Sequence, residues 1–124
     1  MKETKKNSEK FFGAQKSKIS DKSLLLQLLG DTPLFKILDF MIDNKGMDFT
    51  KSDISKGAGI SRASLFNYWK ELELYGIVKV TRQFGKTKLY TLNSQNLITK
   101  RILDLEKALI SKALEKKEKL VVSA

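Results

Sequence analysis

Apolar residues along this chain recur at helical spacings, interrupted once by a stretch of β-branched and aromatic residues. Leu24, Leu25, Leu28 and Leu29 make one face of a short helix expected over 22–29, capped by Asp21 and stopped by Gly30. Leu26 falls off that face, and so many leucines exceed one contact, so this helix either lies between the core and a second surface or belongs to a subunit interface. Leu34, Ile37, Leu38, Met41 and Ile42 predict the next helix, capped by Asp31 or Thr32, with Pro33 in its first turn and an end near Asn44. Thr50 followed by Asp53 resembles a capping box that opens a helix of about two turns through Ile54, expected to break at Gly57-Ala58-Gly59. Ser61 caps a helix reaching about Tyr75, which buries Leu65, Trp69 and Leu72 before Gly76 supplies a left-handed stop.

Residues 77–82 and 88–92 read as two strands joined by the short loop 83–87, hence a hairpin. Asn93 or Ser94 then caps a long helix to about Leu120. One of its stripes is Ile98, Ile102, Leu105, Leu109 and Ala113, and a second is Leu103, Ile110 and Leu114. Two apolar faces need two partners, one of them the domain and the other a second subunit, while the charged end 115–119 is expected to fray. The expected class is mostly α with a small β-hairpin. It divides into a flexible basic arm at 1–23, a domain at 24–93 and a C-terminal dimerisation helix at 94–124.

Charge sharpens this picture. The chain of 124 residues has the size of one domain and carries a net charge of +10, which calls for a polyanionic partner. The arm holds seven lysines, Lys5, Lys6, Lys10, Lys16 and Lys18 among them, and can either follow a nucleic-acid backbone or merely keep the chain soluble. From Leu74 to Leu103 there are six basic residues and no carboxylate, so a one-sign surface is expected there. His and Cys are absent, which removes Cys/His zinc sites, thiol nucleophiles, disulfides and imidazole-based triads. No catalytic residue, cofactor or metal site is therefore expected. Apolar runs stay far below the ~20 residues of a membrane span, and no signal peptide is evident, so the expected place is cytoplasmic and nucleoid-associated, away from membranes.

The order helix, short helix, glycine turn, helix, hairpin resembles the winged helix-turn-helix, and the stretch from Asp53 through Gly59, Ile60, Ser61 and Leu65 looks like its helix-turn-helix. The likeness continues through Leu72, Gly76, Ile77 and Val78 into a wing ending Lys88-Leu89-Tyr90-Thr91-Leu92-Asn93, and so covers about 31–93. Ser55 stands where this family usually has Ala, and Ala58 where a larger apolar residue is common, which predicts looser packing between the two helices. The resemblance implies a transcription regulator of the small dimeric kind found among archaeal and MarR-like proteins, bound to double-stranded DNA.

On that resemblance the helix after Ser61 enters the major groove. Arg62, Ala63, Ser64 and Asn67 then lie on its exposed N-terminal half, and Lys70 meets the backbone. Ser61 and Thr50 face phosphates from helix N-termini, a place that helix capping alone also explains. The wing brings Arg82, Lys86 and Lys88 to the minor groove or its phosphates. A homodimer through the C-terminal helix and the leucine-rich 24–29 segment would read an imperfect palindrome with half-sites about 34 Å apart or a multiple of it. The alternative is an architectural DNA-binding or protein-binding winged helix without sequence selectivity.

Overall fold

The computed structural model describes residues 23–123, with side chains up to Glu118; the expected basic arm, Asp21 included, lies outside the described residues apart from Ser23. The elements in chain order are α1 (Leu24–Leu29), α2 (Pro33–Asp43), α3 (Lys51–Ala58), α4 (Arg62–Leu74), β1 (Val78–Phe84), β2 (Thr87–Leu92) and α5 (Leu97–Ser123).

Local chemistry sets most of these bounds. Ser23, rather than Asp21, caps α1 by accepting the Leu26 N–H at 3.2 Å. Thr32 caps α2, whose first position is Pro33, a place where the missing N–H has no helical partner to lose. Thr50 and Asp53 form the expected capping box, with reciprocal bonds of 3.1 and 3.2 Å. Ser61 caps α4 by accepting the Ser64 N–H at 3.0 Å.

The glycine run at the end of α3 behaves differently from its expected break. Gly57 is helical, and a Cβ there would run into the Phe40 ring of α2, so this glycine serves close helix packing instead of a turn. Only Gly59, at φ 71°, takes the left-handed conformation that ends the helix. Ser55 is buried, and its hydroxyl donates to the Ser52 carbonyl at 3.0 Å, so its polarity is satisfied inside the same helix.

The hairpin is tighter than the five-residue loop expected from sequence, because both strands extend to leave only Gly85 and Lys86 between Phe84 and Thr87. Phe49 adds a one-residue bridge to Tyr90, with paired backbone bonds of 2.8 and 2.7 Å, which ties the wing to the loop before α3. A bulge interrupts the β1–β2 register between Val80 and Arg82.

The core gathers Ile37, Leu38, Met41 and Ile42 of α2, Ile54 of α3, and Leu65, Trp69 and Leu72 of α4. Ile77, Val78, Tyr90 and Leu92 close it from the hairpin, and Leu25 from α1. Helix α5 starts two residues later than a Ser94 cap would place it. Asn96 caps it through the Thr99 N–H at 3.1 Å while its amide donates to the Tyr75 carbonyl at 2.8 Å. Asn93 instead donates to the Gly76 carbonyl, and together the two asparagines fasten the start of α5 to the end of α4. The helix continues through the charged segment expected to fray, reaching Ser123. Ile102, Leu103 and Leu109 pack on the domain, whereas Ile98, Leu105, Ile110 and Leu114 are exposed, as are Leu28 and Leu29 of α1.

Candidate nucleic-acid interface

Helix α4 presents two opposite stripes. Leu65, Trp69 and Leu72 are buried, and on the far side Ala63, Asn67 and Lys70 are exposed at the same helical spacing. Arg62 and Ser61 are exposed at its N-terminus, while Ser64 is half-buried and its hydroxyl accepts a bond from Ser61 at 3.1 Å.

Between the N-terminus of α3, the start of α4 and the tip of the hairpin runs an open groove of about 500 Å³. Thr50, Arg62, Lys86 and Lys88 line it together with Lys51, Ser52, Thr87 and Tyr90. Four of the expected contact residues thus converge from three separate elements. Among the described residues no ion pair engages Lys51, Arg62, Lys86 or Lys88, so the groove's charge is not cancelled locally. Lys70 stands apart, in a shallow cleft with Glu71, Glu73 and Leu74.

Arg82 is not brought to this groove. Its Nε and Nη2 donate to the two carboxylate oxygens of Asp48 at 2.9 and 3.0 Å, and the Thr81 hydroxyl donates to the same carboxylate at 2.6 Å. The Arg82 hydrogen bonds, then that from Thr81, hold the Asp48 carboxyl below its ordinary pKa, while Asp48 raises that of Arg82. This pair borders a second open cleft, of about 540 Å³, on the other side of the hairpin, with Lys79, Thr91 and Ser94 nearby.

A reading based on family motifs misses Lys51 in the groove and Phe66 of α4, whose ring lies against it. The Lys51 ammonium lies 5.5 Å from the Phe66 ring centroid and 5.7 Å from those of Trp69 and Tyr90. Phe66 also carries the Arg62 guanidinium at 5.9 Å. A sequence signal exists for Phe66: it is an aromatic four residues after an arginine, off the buried stripe of its helix. Tyr90 and Trp69 meet edge-on at 4.9 Å, and burial, then the charge of Glu73, pushes the Tyr90 phenol above its ordinary pKa.

Outside the groove, the carboxyls of Asp43 on α2 and Glu106 on α5 are both raised in pKa. Burial is the first cause for each, followed by the charge of Asp39 on Asp43 and of Asp43 on Glu106. No group of acidic residues able to hold a metal ion occurs among the described residues. Nor is any helix there long and apolar enough to cross a membrane.

No protein-family model and no curated protein matches the sequence. Solved structures do match. A mutant apo form of ZitR from Lactococcus lactis, a zinc-responsive MarR family member, superposes with a TM-score of 0.51 at 18% identity, covering 78% of this chain and 76% of that one. A second structure of the same mutant gives 0.50 at 18% identity over 75% and 66% of the two chains. The MarR family transcriptional regulator SPO1453 from Silicibacter pomeroyi matches at 0.47, with 13% identity over 79% and 65%. The order of elements and the long last helix agree with this likeness, and the chain has the MarR-like winged-helix fold.

Proposed function

We propose that this chain is a transcription regulator that binds double-stranded DNA as a homodimer. The observation that carries the reading is the uncancelled basic groove joining the N-termini of α3 and α4 to the hairpin tip. Helix α4 has 13 residues, a length of about 20 Å, and the stripe opposite its buried face, Ala63, Asn67 and Lys70, is small, polar or basic, as entry into a major groove about 12 Å wide requires. In this reading Ala63 and Ser64 allow close approach, Arg62 and Asn67 reach base edges, and Lys70 meets backbone. Ser61 and Thr50 offer helix N-termini to phosphates, and Lys86 and Lys88 follow the adjoining backbone or minor groove. Arg82 acts from behind, holding the wing to Asp48.

Dimerisation is supported by the exposed apolar side chains of α5 together with Leu28 and Leu29, a set too large for a lone soluble helix to leave in water. Two copies would place two recognition helices on half-sites separated by about one helical turn or a multiple.

The test is selection from a randomised duplex pool with the full chain, alongside Arg62→Ala/Asn67→Ala and a light-scattering mass. An enriched palindrome that the double variant loses, with a mass twice 14.1 kDa, is expected. Salt-sensitive binding with no enriched sequence would replace the regulator by an architectural protein, and absence of binding would remove the DNA reading.

A further inference from the structure

Lys51 is the first residue of α3, where a positive charge opposes the helix macrodipole. Its ammonium nevertheless sits within cation–π range of three rings supplied by two other elements, Phe66 and Trp69 from α4 and Tyr90 from β2. Trp69 and Tyr90 are buried and fixed against each other. Phe66 is different: it is 50% exposed, and its ring carries the charged ends of Lys51 and Arg62. An aromatic ring left this open on a recognition helix is accounted for by the two cations it carries.

The cage orients Lys51 without neutralising it. A carboxylate partner would hold the ammonium equally well and cancel its field, as Asp48 does for Arg82. Rings hold the charge through their quadrupole and leave the N–H donors able to turn toward an anion. Lys51 lines the groove beside Arg62, Lys86 and Lys88, so its donors and theirs face one space. A surface lysine normally loses its rotamer freedom when it grips a phosphate; here much of that ordering is already present before the ligand arrives.

We propose that Lys51 is a preorganised phosphate-binding residue of the duplex interface, fixed by the Phe66–Trp69–Tyr90 cage so that it adds affinity without reading bases. This rests on the duplex-binding reading of the same groove. Because the cage joins α3 to the recognition helix and to the wing strand, Lys51 also sets where the phosphate backbone lies relative to both.

The experiment measures affinity of the full chain for two unrelated duplexes across a salt series. It compares wild type with Lys51→Met, Lys51→Gln and, as a same-charge control on α5, Lys107→Met, each checked for an unchanged melting curve. Both Lys51 variants are expected to lose about tenfold in affinity on both duplexes, with the log–log salt slope falling by about 0.9 per subunit, or about 1.8 for the bound dimer, as it does when each subunit neutralises one fewer phosphate. Lys107→Met should leave the slope unchanged. Phe66→Leu should weaken binding by roughly threefold while keeping the slope, since the charge stays but its placement is loosened. In the DNA-free protein, the Lys51 side-chain methylene resonances should be shifted upfield by the rings, and Phe66→Leu should reduce that shift. Wild-type binding with an unchanged slope and affinity in both Lys51 variants overturns the proposal and leaves the groove reading intact. A loss confined to one duplex overturns it in favour of base readout. No wild-type binding at any salt overturns both.

Discussion

The two sides of the hairpin carry the same kind of residue and put it to opposite uses. On the groove side, Lys86 and Lys88 face Arg62 and the caged Lys51, and among the described residues no carboxylate joins them. On the other side, Arg82 is locked by Asp48, which also receives the Thr81 hydroxyl. The bulge between Val80 and Arg82 makes the difference. An unbroken strand would place Arg82 on the face of Val80, which pairs with Tyr90, and the extra residue turns it to the opposite face instead. A basic stretch of sequence is therefore not one basic surface. Its cations divide into those that remain available to an anion and those that hold the wing in place.

The sharpest way to break this contrast is charge reversal on the groove side. Lys86→Glu/Lys88→Glu is expected to lower duplex affinity at least about 100-fold, since two charge-assisted contacts are replaced by repulsion. Arg82→Glu, which leaves the groove intact, should cost far less in the same binding titration. Equal losses would erase the distinction between the two sides.

Gly57→Ala acts on both sides at once by prying α3 from Phe40 of α2. Overpacking at this contact is expected to cost about 1–3 kcal/mol of stability, read as a lower denaturation midpoint. Phe40→Leu in the same chain should recover part of that loss.

Smaller effects isolate the strut. Arg82→Ala is expected to reduce duplex affinity by less than about tenfold, Asp48→Ala by somewhat more because it also removes the Thr81 bond, and the double variant by no more than Asp48→Ala alone, because the Arg82 interaction is common to both. The salt slope should stay that of wild type in Arg82→Ala. A slope reduced by about 0.9 per subunit would instead mean that Arg82 leaves Asp48 to meet a phosphate.

The smallest effect is in pH. The Asp48 carboxyl is held low, so it contributes stability above the ordinary aspartate pKa of about 3.9, and this is lost as pH falls through its folded value. Asp43 and Glu106 are raised, so each favours the fold while protonated, and that contribution is lost as pH rises through their folded values. Acidifying from neutral pH toward the ordinary carboxylate pKa of about 4 should therefore raise the melting temperature slightly, and it should drop at lower pH as Asp48 is protonated. Glu106→Gln should flatten the rise, and Asp48→Asn should weaken the acid-side drop.

Much of this architecture was legible because its signals are local. The capping box at Thr50, the caps at Thr32 and Ser61, the Leu65, Trp69 and Leu72 stripe and the left-handed Gly59 all depend on residues within one or two turns. Ambiguity entered where a local signal had two competing users. Asn93, Ser94 and Asn96 can each cap a helix, and the choice went to Asn96 because its amide and that of Asn93 also reach the Tyr75 and Gly76 carbonyls. Likewise a glycine inside a short helix looks like a stop until the ring packed against it is known, as for Gly57.

The sequence by itself determined which residues form helices, where α4 turns its polar face, and that the segment from Leu74 to Leu103 carries only positive charge. Periodicity fixes a side chain's face within its own element, and composition fixes the sign of a region. Tertiary structure decided which of those charges survive. Arg82 meets an aspartate 34 positions earlier, and Lys51 meets rings from α4 and β2, because a strand bulge and the crossing of three elements set those neighbours. Neither depends on spacing along the chain, so no periodic pattern could announce them.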